Sequence, residues 1–259
     1  MTRFCTFASG STGNAALVSS GDTHILIDMG ISCRRIVQSL SLLGIAPGDL
    51  AAVMITHEHN DHIAGLATYI KKYKTPVITT SATARQLVYR LAGIEPQLQC
   101  VEWGETCVVG NVTVHVLESS HDCTGSCGFL LETQNGTLGY LTDSGCIPSA
   151  TAQALLGAKL LVIESNHDVD RLLSGPYPYY LKDRVLSMRG HLSNEVAAAF
   201  ASDSVREGTE AIVLAHLSQE NNTPQLALRA FRQWLEPLGF CGRLIAAPAG
   251  EMSELIEME

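Results

Sequence analysis

The stretch Thr56-His57-Glu58-His59-Asn60-Asp61-His62 packs three histidines and two carboxylates into seven residues. His57 and His59 sit two apart, as neighbours on one face of a strand do, whereas Asp61 and His62 are adjacent and break that alternation. Four metal-capable side chains within six positions are costly to crowd together unless a cation holds them.

Other apolar strands also finish on such side chains. AAVMIT runs into His57-Glu58-His59, VTVHVLESS into His121, TLGYLT into Asp143, LLVIES into Asn166-His167-Asp168 and AIVLA into His216. If these ends converge, they assemble a site rich in imidazole and carboxylate. That donor set, with no obvious thiolate, suits zinc, manganese or iron. Six or seven ligands exceed the four of one tetrahedral zinc. Two cations about 3.5–4 Å apart, bridged by one carboxylate and a water, use them all and turn that water into a hydroxide nucleophile near neutral pH. His24 and His115 lie within strands and read as surface or hydrogen-bonded residues.

The remaining pattern suits two sheets packed together with helices outside, in one domain over residues 1–259. Hairpin signals stand at Gly21-Asp22, Gly110-Asn111 and Asn135-Gly136. SATARQLVYRLAG reads as a helix with a serine cap and a glycine stop. Residues 166–190, NHDVDRLLSGPYPYYLKDRVLSMRG, read as a long irregular connection, and such segments tend to carry function.

At 46% hydrophobic and 17% charged, 259 residues bury a full core without disulfides. No apolar run approaches the roughly 20 residues that span a bilayer, and the start lacks the apolar segment of a signal peptide. The expectation is a cytoplasmic protein with no membrane partner. Eight cysteines include no CxxC pair. The nearest two, Cys123 and Cys127, could bind metal or form a disulfide, but unpaired thiols are the plainer reading in a reducing cytosol. Seventeen Lys and Arg against 26 Asp and Glu leave a net charge of −9. That argues against a non-specific nucleic-acid binder with a basic surface, although carboxylates that ligate cations do not repel an anionic substrate as free ones do.

At these residues the sequence resembles the metallo-β-lactamase superfamily. The H-x-H-x-D-H signature stands as His57-x-His59-x-Asp61-His62, preceded by ITH and followed by IAGL. The later motifs follow in order: His121, Asp143 in YLTDSG, His191 in GHLSN and His216 in LAHLSQENN. The resemblance implies an α/β fold, an αββα sandwich with a dinuclear metal site at one edge of the sheets. ASGSTGNAALV, ESNHD, YPYYLKDRVLSMRGHLSN and LAHLSQENNTP are similar to the YycJ/WalJ-type branch, which implies a nuclease acting on phosphodiesters, as an exonuclease on DNA.

Residue by residue, the resemblance implies one cation on His57, His59 and His121, another on Asp61, His62 and His216, and Asp143 bridging. It gives catalytic roles to Asp61 and to His191, the latter as a proton donor near the scissile phosphate, as in the tRNA-processing phosphodiesterases. The broken alternation then reads as two half-sites divided at Asn60. His57 and His59 continue the strand towards one cation, and Asp61, at the N-cap place of the next helix, turns with His62 towards the other. The commonest lactamases carry a cysteine where Asp143 stands, the flavin-partnered oxygen reductases a glutamate in place of His59, and the tRNA-processing enzymes a long arm absent here. Lactam hydrolysis, redox chemistry and tRNA specificity are therefore disfavoured.

The expected reaction is phosphodiester hydrolysis by a metal-bridging hydroxide, with His191 protonating the departing oxygen. The expected partner is nucleic acid, DNA first, or another phosphodiester. Lys182, Arg184 and Arg189 either contact flanking phosphates or are ordinary solvated charge. Tyr177, Tyr179 and Tyr180 stack on an unpaired base or simply pack. SGSTGN offers backbone N–H groups to a terminal phosphate or makes a plain turn. His167 and Asp168 orient a ligand or hold the long segment in place. One rival is a hydrolase of a small thioester, lactone or cyclic phosphodiester using the same centre. The other is a metal-stabilised binding protein, against which the full ligand set and His191 argue.

Overall fold

Short apolar runs bounded by turn residues fold into two seven-stranded sheets in a computed structural model that describes residues 1–259. The chain begins with β1 (Thr2–Ala8), β2 (Ala15–Ser20), β3 (Thr23–Ile27), α1 (Cys33–Leu42) and β4 (Leu50–Met54). It continues with α2 (Asn60–Ile63), α3 (Leu66–Lys72), β5 (Val77–Thr79), α4 (Ser81–Arg90) and β6 (Leu98–Cys100). The second half opens with β7 (Thr106–Val109), β8 (Val112–Glu118), β9 (Cys127–Thr133), β10 (Gly136–Leu141) and α5 (Ser149–Leu155). Next come β11 (Leu160–Glu164), α6 (Val169–Ser174), α7 (Tyr179–Leu186), α8 (Asn194–Arg206) and β12 (Ala211–Ala215). The chain closes with α9 (Pro224–Leu235), β13 (Arg243–Ala246) and β14 (Ile256–Met258).

The strand orders are β14-β1-β2-β3-β4-β5-β6 and β13-β12-β11-β10-β9-β8-β7. Each sheet is antiparallel where hairpins join its strands and parallel where helices do. β1 to β3 and β7 to β10 are antiparallel; β3 to β6 and β10 to β13 are parallel. Parallel neighbours need a crossover, which the strand–helix alternation supplies.

Strand pleating sorts the apolar side chains between two environments. Ile25 and Ile27 face the other sheet with Phe4, Met54, Phe129 and Val162, whereas Leu26 faces the helices. Outside the first sheet, Ile36, Leu40, Tyr69 and Leu87 of α1, α3 and α4 cover Leu17, Leu26 and Val53. Outside the second, Leu155, Ala197 and Phe231 of α5, α8 and α9 cover Leu161, Ile163 and Leu214. The result is an αββα sandwich. Each fully buried Leu, Ile or Phe contributes roughly 1.5–3 kcal/mol.

Several details differ from the sequence reading. The cap of α4 is Thr80, whose Oγ1 accepts from Thr83 N at 3.3 Å, and Ser81 is the first helical residue. Thr133 pairs with Gly136, so the third hairpin turns on Gln134-Asn135 and Gly136 opens β10. Residues 166–190 are not irregular: they hold α6, capped by Asp168, and α7, which starts after Pro178. The edge strands β6 and β14 are three residues each, too short to carry a period. All eight cysteines are unpaired, and no helix is long and apolar enough to cross a membrane.

Candidate metal centre

Loops leaving the carboxyl ends of β3, β4, β8, β10 and β12 meet at one edge of the sandwich, together with the last residue of β11. They bring Asp28, the 57–62 segment, His121, Asp143, Glu164 and His216 together. β4 ends at Met54, so His57 and His59 lie beyond the strand rather than on it. His59 is the N-cap of α2, and Asp61 lies inside its first turn rather than at the cap. A pinned loop, not a strand pleat, turns these side chains inward. Arg90 donates to the Glu58 carbonyl and, at 2.6 Å, to Asn60 Oδ1. Asn14 N donates to Asp61 O at 2.7 Å, and Met29 N to His62 O at 2.8 Å. A Cβ on Gly30 would stand 1.6 Å from the Asp61 carbonyl oxygen, so this approach requires glycine.

Four imidazoles are oriented through Nδ1. His62 donates to Asp28 Oδ2 at 2.8 Å, and Asp28 also accepts from Thr56 N and Oγ1. His216 donates to Glu164 Oε1 at 2.9 Å, and His121 to the Gly190 carbonyl at 3.1 Å. His57 donates to Thr56 Oγ1 at 3.0 Å, the tautomer following from Thr56 already donating to Asp28. Each Nε2 is thereby presented to the centre.

The donors fall into interlocking groups. His57, His59 and His121 form one triad, Asp61, His62 and His216 another, and His57, His62 and Asp143 a third, each with donor atoms within 4.8 Å of one another. Asp143 stands between: Oδ2 is 3.3 Å from His62 Nε2, while Oδ1 is 3.6 Å from His216 Nε2 and 3.8 Å from His121 Nε2. Asp61 Oδ2 is 3.6 Å from Nε2 of both His62 and His216. His57 Nε2, His216 Nε2 and Asp143 Oδ2 are buried without a hydrogen-bond partner. Such atoms are costly unless a cation satisfies them, so this donor set fits divalent metal. Burial would raise the Asp143 carboxyl, yet His216 and His62 hold it well below its usual range. Burial lowers His57, while the carboxylates outweigh burial at His62 and raise His216 to about 10. Asp28, Asp143 and His216 adopt left-handed backbone at φ 60°, 55° and 54°, strain of a kind that concentrates at functional sites.

Residues 23–217 match the beta-lactamase superfamily domain. The exodeoxyribonuclease YycJ of Bacillus anthracis is 34% identical over 238 residues, covering 92% of this chain and 90% of that one. The exodeoxyribonuclease WalJ of Streptococcus pneumoniae D39 is 34% identical over 228 residues, covering 87% and 85%. The chain belongs to the metallo-β-lactamase superfamily. It lies with the YycJ and WalJ proteins in that superfamily and is a metal-dependent hydrolase. Its fold superposes on the metallo-β-lactamase-fold protein YhfI of Bacillus subtilis with a TM-score of 0.75, at 18% identity, over 98% of this chain and all of that one.

A cleft of about 190 Å³ opens beside this donor cluster, lined by His121, Asp122, Tyr177, Arg184, His191 and His216 among others. His191 donates from Nδ1 to Glu164 Oε1 at 2.8 Å. Glu164 and Asp143 raise its pKa in spite of burial. Of the three cations singled out in the sequence, Arg184 lines the cleft and pairs with Asp122. Lys182 does not line it, and its Nζ donates to Leu173 O at 2.6 Å. Arg189 donates from Nε to His121 O at 2.9 Å and faces a different hollow. Tyr177 lines the cleft; Tyr179 and Tyr180 are exposed outside it. In the Ser9–Asn14 loop, the amides of Gly10, Gly13 and Asn14 are committed to internal acceptors. Asp168 caps α6 through Arg171 N at 2.8 Å, and His167 is buried beneath the site. His24 Nδ1 hydrogen-bonds Ser19 Oγ, and His115 Nε2 lies against Glu132 Oε1, each at 2.9 Å.

The sequence reading missed Asp28, Glu164 and Asp122. Asp28 follows the last residue of β3 and Glu164 is the last residue of β11, so the strand-end rule that found Asp143 applies to both.

Proposed function

We propose that the protein is a two-cation phosphodiesterase that degrades DNA from an end. The observation that carries this reading is Asp143 standing between the two donor triads, Oδ2 3.3 Å from His62 Nε2 and Oδ1 3.8 Å from His121 Nε2, with His191 held beside them by Glu164. The names of the relatives that match most of the chain, exodeoxyribonucleases, support DNA as substrate.

His57, His59 and His121 would hold one cation, Asp61, His62 and His216 the other, with Asp143 bridging; zinc, manganese or iron suits these donors. Such cations, when bound, would acidify water and withdraw charge from the phosphoryl oxygens. Asp61, a quarter exposed, would accept a hydrogen bond from the attacking water. His191 keeps Nδ1 on Glu164 and holds its second proton at Nε2, towards the cleft, for the departing oxygen. General-acid help of this kind is worth about 10²–10⁴-fold. Arg184 in the cleft wall contacts a flanking phosphate.

Metal analysis of the purified protein, coupled to cleavage of 5′- and 3′-labelled DNA and RNA, tests the reading. Metallated protein should shorten labelled DNA from one end, and Asp143→Asn should abolish this. Full metallation with no cleavage of any nucleic acid refutes it. The net charge of −9 and the small cleft favour a second reading, a small thioester or phosphodiester hydrolase. Turnover of a thioester panel or of a small cyclic phosphodiester, with no cleavage of any nucleic acid, would select that alternative.

A further inference from the structure

A second hollow, of about 220 Å³, borders the metal cluster and shares His121 with the α7 cleft. Its walls include Trp103 from the β6–β7 connection, Glu118 and Ser120 at the end of β8, Ser126, and Arg189. Trp103 is 44% exposed. An exposed indole is unremarkable alone, but this one is fixed. Its Nε1 donates to Ser126 O at 3.1 Å, and Ser126 Oγ is tied to Ser119 O at 2.9 Å. Thr80 Oγ1 and Thr83 Oγ1 pin the same loop through Gly125 O, at 2.7 and 3.3 Å. Arg189, in the same lining, is set by its bond to the His121 carbonyl. Ring and guanidinium are therefore arranged before any ligand arrives, which lowers the cost of binding one.

The charges say what kind of ligand. Arg189 and Glu118 offset each other, so the hollow is no anion site. A flat, neutral aromatic group suits a hollow lined by an exposed indole and a guanidinium.

We propose that this hollow is a nucleobase subsite, taking the base on one side of the scissile phosphate while the α7 cleft takes the chain on the other. The proposal rests on the nuclease reading. A phosphodiester has two ester arms, and the cluster has two hollows that meet at His121. The Ser120 and Ser126 hydroxyls are committed to the carbonyls of Met188 and Ser119, at 2.8 and 2.9 Å. Stacking on the Trp103 face accepts any base, provided it is unpaired.

Only Trp103 and Trp234 report in tryptophan fluorescence. Zinc-loaded Trp234→Phe protein is mixed with single-stranded DNA in a stopped-flow instrument, and fluorescence and cleavage are followed on the same samples. Quenching that precedes product formation is expected. Trp103→Ala should raise KM about 5- to 150-fold, the range that loss of one base–aromatic stack gives, and Trp103→Phe should restore most of it. Cleavage without quenching, or an unchanged KM in Trp103→Ala, overturns the subsite and leaves the nuclease reading standing. Quenching without cleavage supports base binding and overturns the nuclease reading. Neither signal overturns both.

Discussion

Nδ1 of His191 and Oε1 of Glu164 stand 2.8 Å apart. The same oxygen accepts from His216 Nδ1 at 2.9 Å, and Oε2 accepts from the amides of Ser144 and Leu192 at 3.0 and 3.1 Å. One buried carboxylate thus orients both a proposed metal ligand and the proposed acid. Burial would raise its pKa, but His191 and His216 hold it at about 2. In Glu164→Gln the new NH₂ meets either two imidazole N–H donors or two backbone N–H donors, donor against donor. We expect kcat and metal affinity each to fall about 10- to 100-fold, with a stability loss of about 1–3 kcal/mol. Steady-state kinetics, metal titration and urea unfolding measure the three effects; an unchanged kcat removes Glu164 from the positioning role.

Metal uptake should release protons. His62 is raised well above its usual value against the pull of burial, by Asp143 and Asp28, and His216 to about 10, by Asp143, Asp61 and Glu164. These pairings stabilise the metal-free protein fully below about pH 6.5, and the contribution is lost as pH rises through the folded-state values. A cation at Nε2 requires that proton to leave. Affinity for zinc should therefore climb with pH from 6 to 9. Calorimetric titration of chelator-stripped protein in buffers of different ionisation enthalpy should return about one to two protons released per protein. A pH-independent affinity would contradict this.

His167 predicts an acid-side loss of stability. Its ring is buried and neither nitrogen meets a hydrogen-bond partner. Burial lowers its pKa to about 4, with Glu164 opposing the shift. The folded value lies below the unfolded value of about 6.5. The unfolded chain therefore binds the proton first, and the contribution is intact above about pH 6.5 and lost as pH falls towards 4. The full effect is on the order of 3 kcal/mol. His167→Leu should flatten the fall in chelator-stripped protein between pH 7 and 4.5, relative to the parent, in urea unfolding. Parallel curves would show that His167 takes its proton without cost.

The two-sheet fold was legible because strands such as β2, β11 and β12 are buried along their whole length, and helices such as α1 and α9 carry a clear apolar stripe. The metal donors were legible for a related reason: His57, His121, Asp143 and His216 interrupt apolar runs where an imidazole or carboxylate has no packing use. Asp28 and Glu164 sit at equivalent places, but an acid at a strand end also reads as ordinary solvation. Only their burial at 0% exposure separates the two readings. The pairing of Asp28 with His62 spans 34 residues of sequence, so no local pattern announces it. In α6 and α7 the helical runs are six and eight residues long, and Pro176 and Pro178 between them masked both.

Arg184 yields the last prediction. Its guanidinium lies on Asp122, whose Oδ1 is 3.3 Å from His121 Nε2 and 3.5 Å from His59 Nε2. His121 and Arg184 hold the Asp122 carboxyl below its usual range against burial. A phosphate entering the cleft competes with Asp122 for the same guanidinium, and it brings the condensed counterions of its strand, which are released on contact. Arg184→Ala should therefore weaken DNA binding at every sequence and shrink the slope of log K against log salt by about 0.7–0.9. Arg184→Lys should restore the slope, because a point charge suffices for counterion release, but not the full affinity, because the planar fork is gone. Asp122→Asn should act in the opposite sense on binding by freeing the guanidinium. Fluorescence anisotropy of labelled single-stranded DNA from 50 to 200 mM salt measures all three, and an unchanged slope in Arg184→Ala would leave Arg184 a structural partner of Asp122 alone.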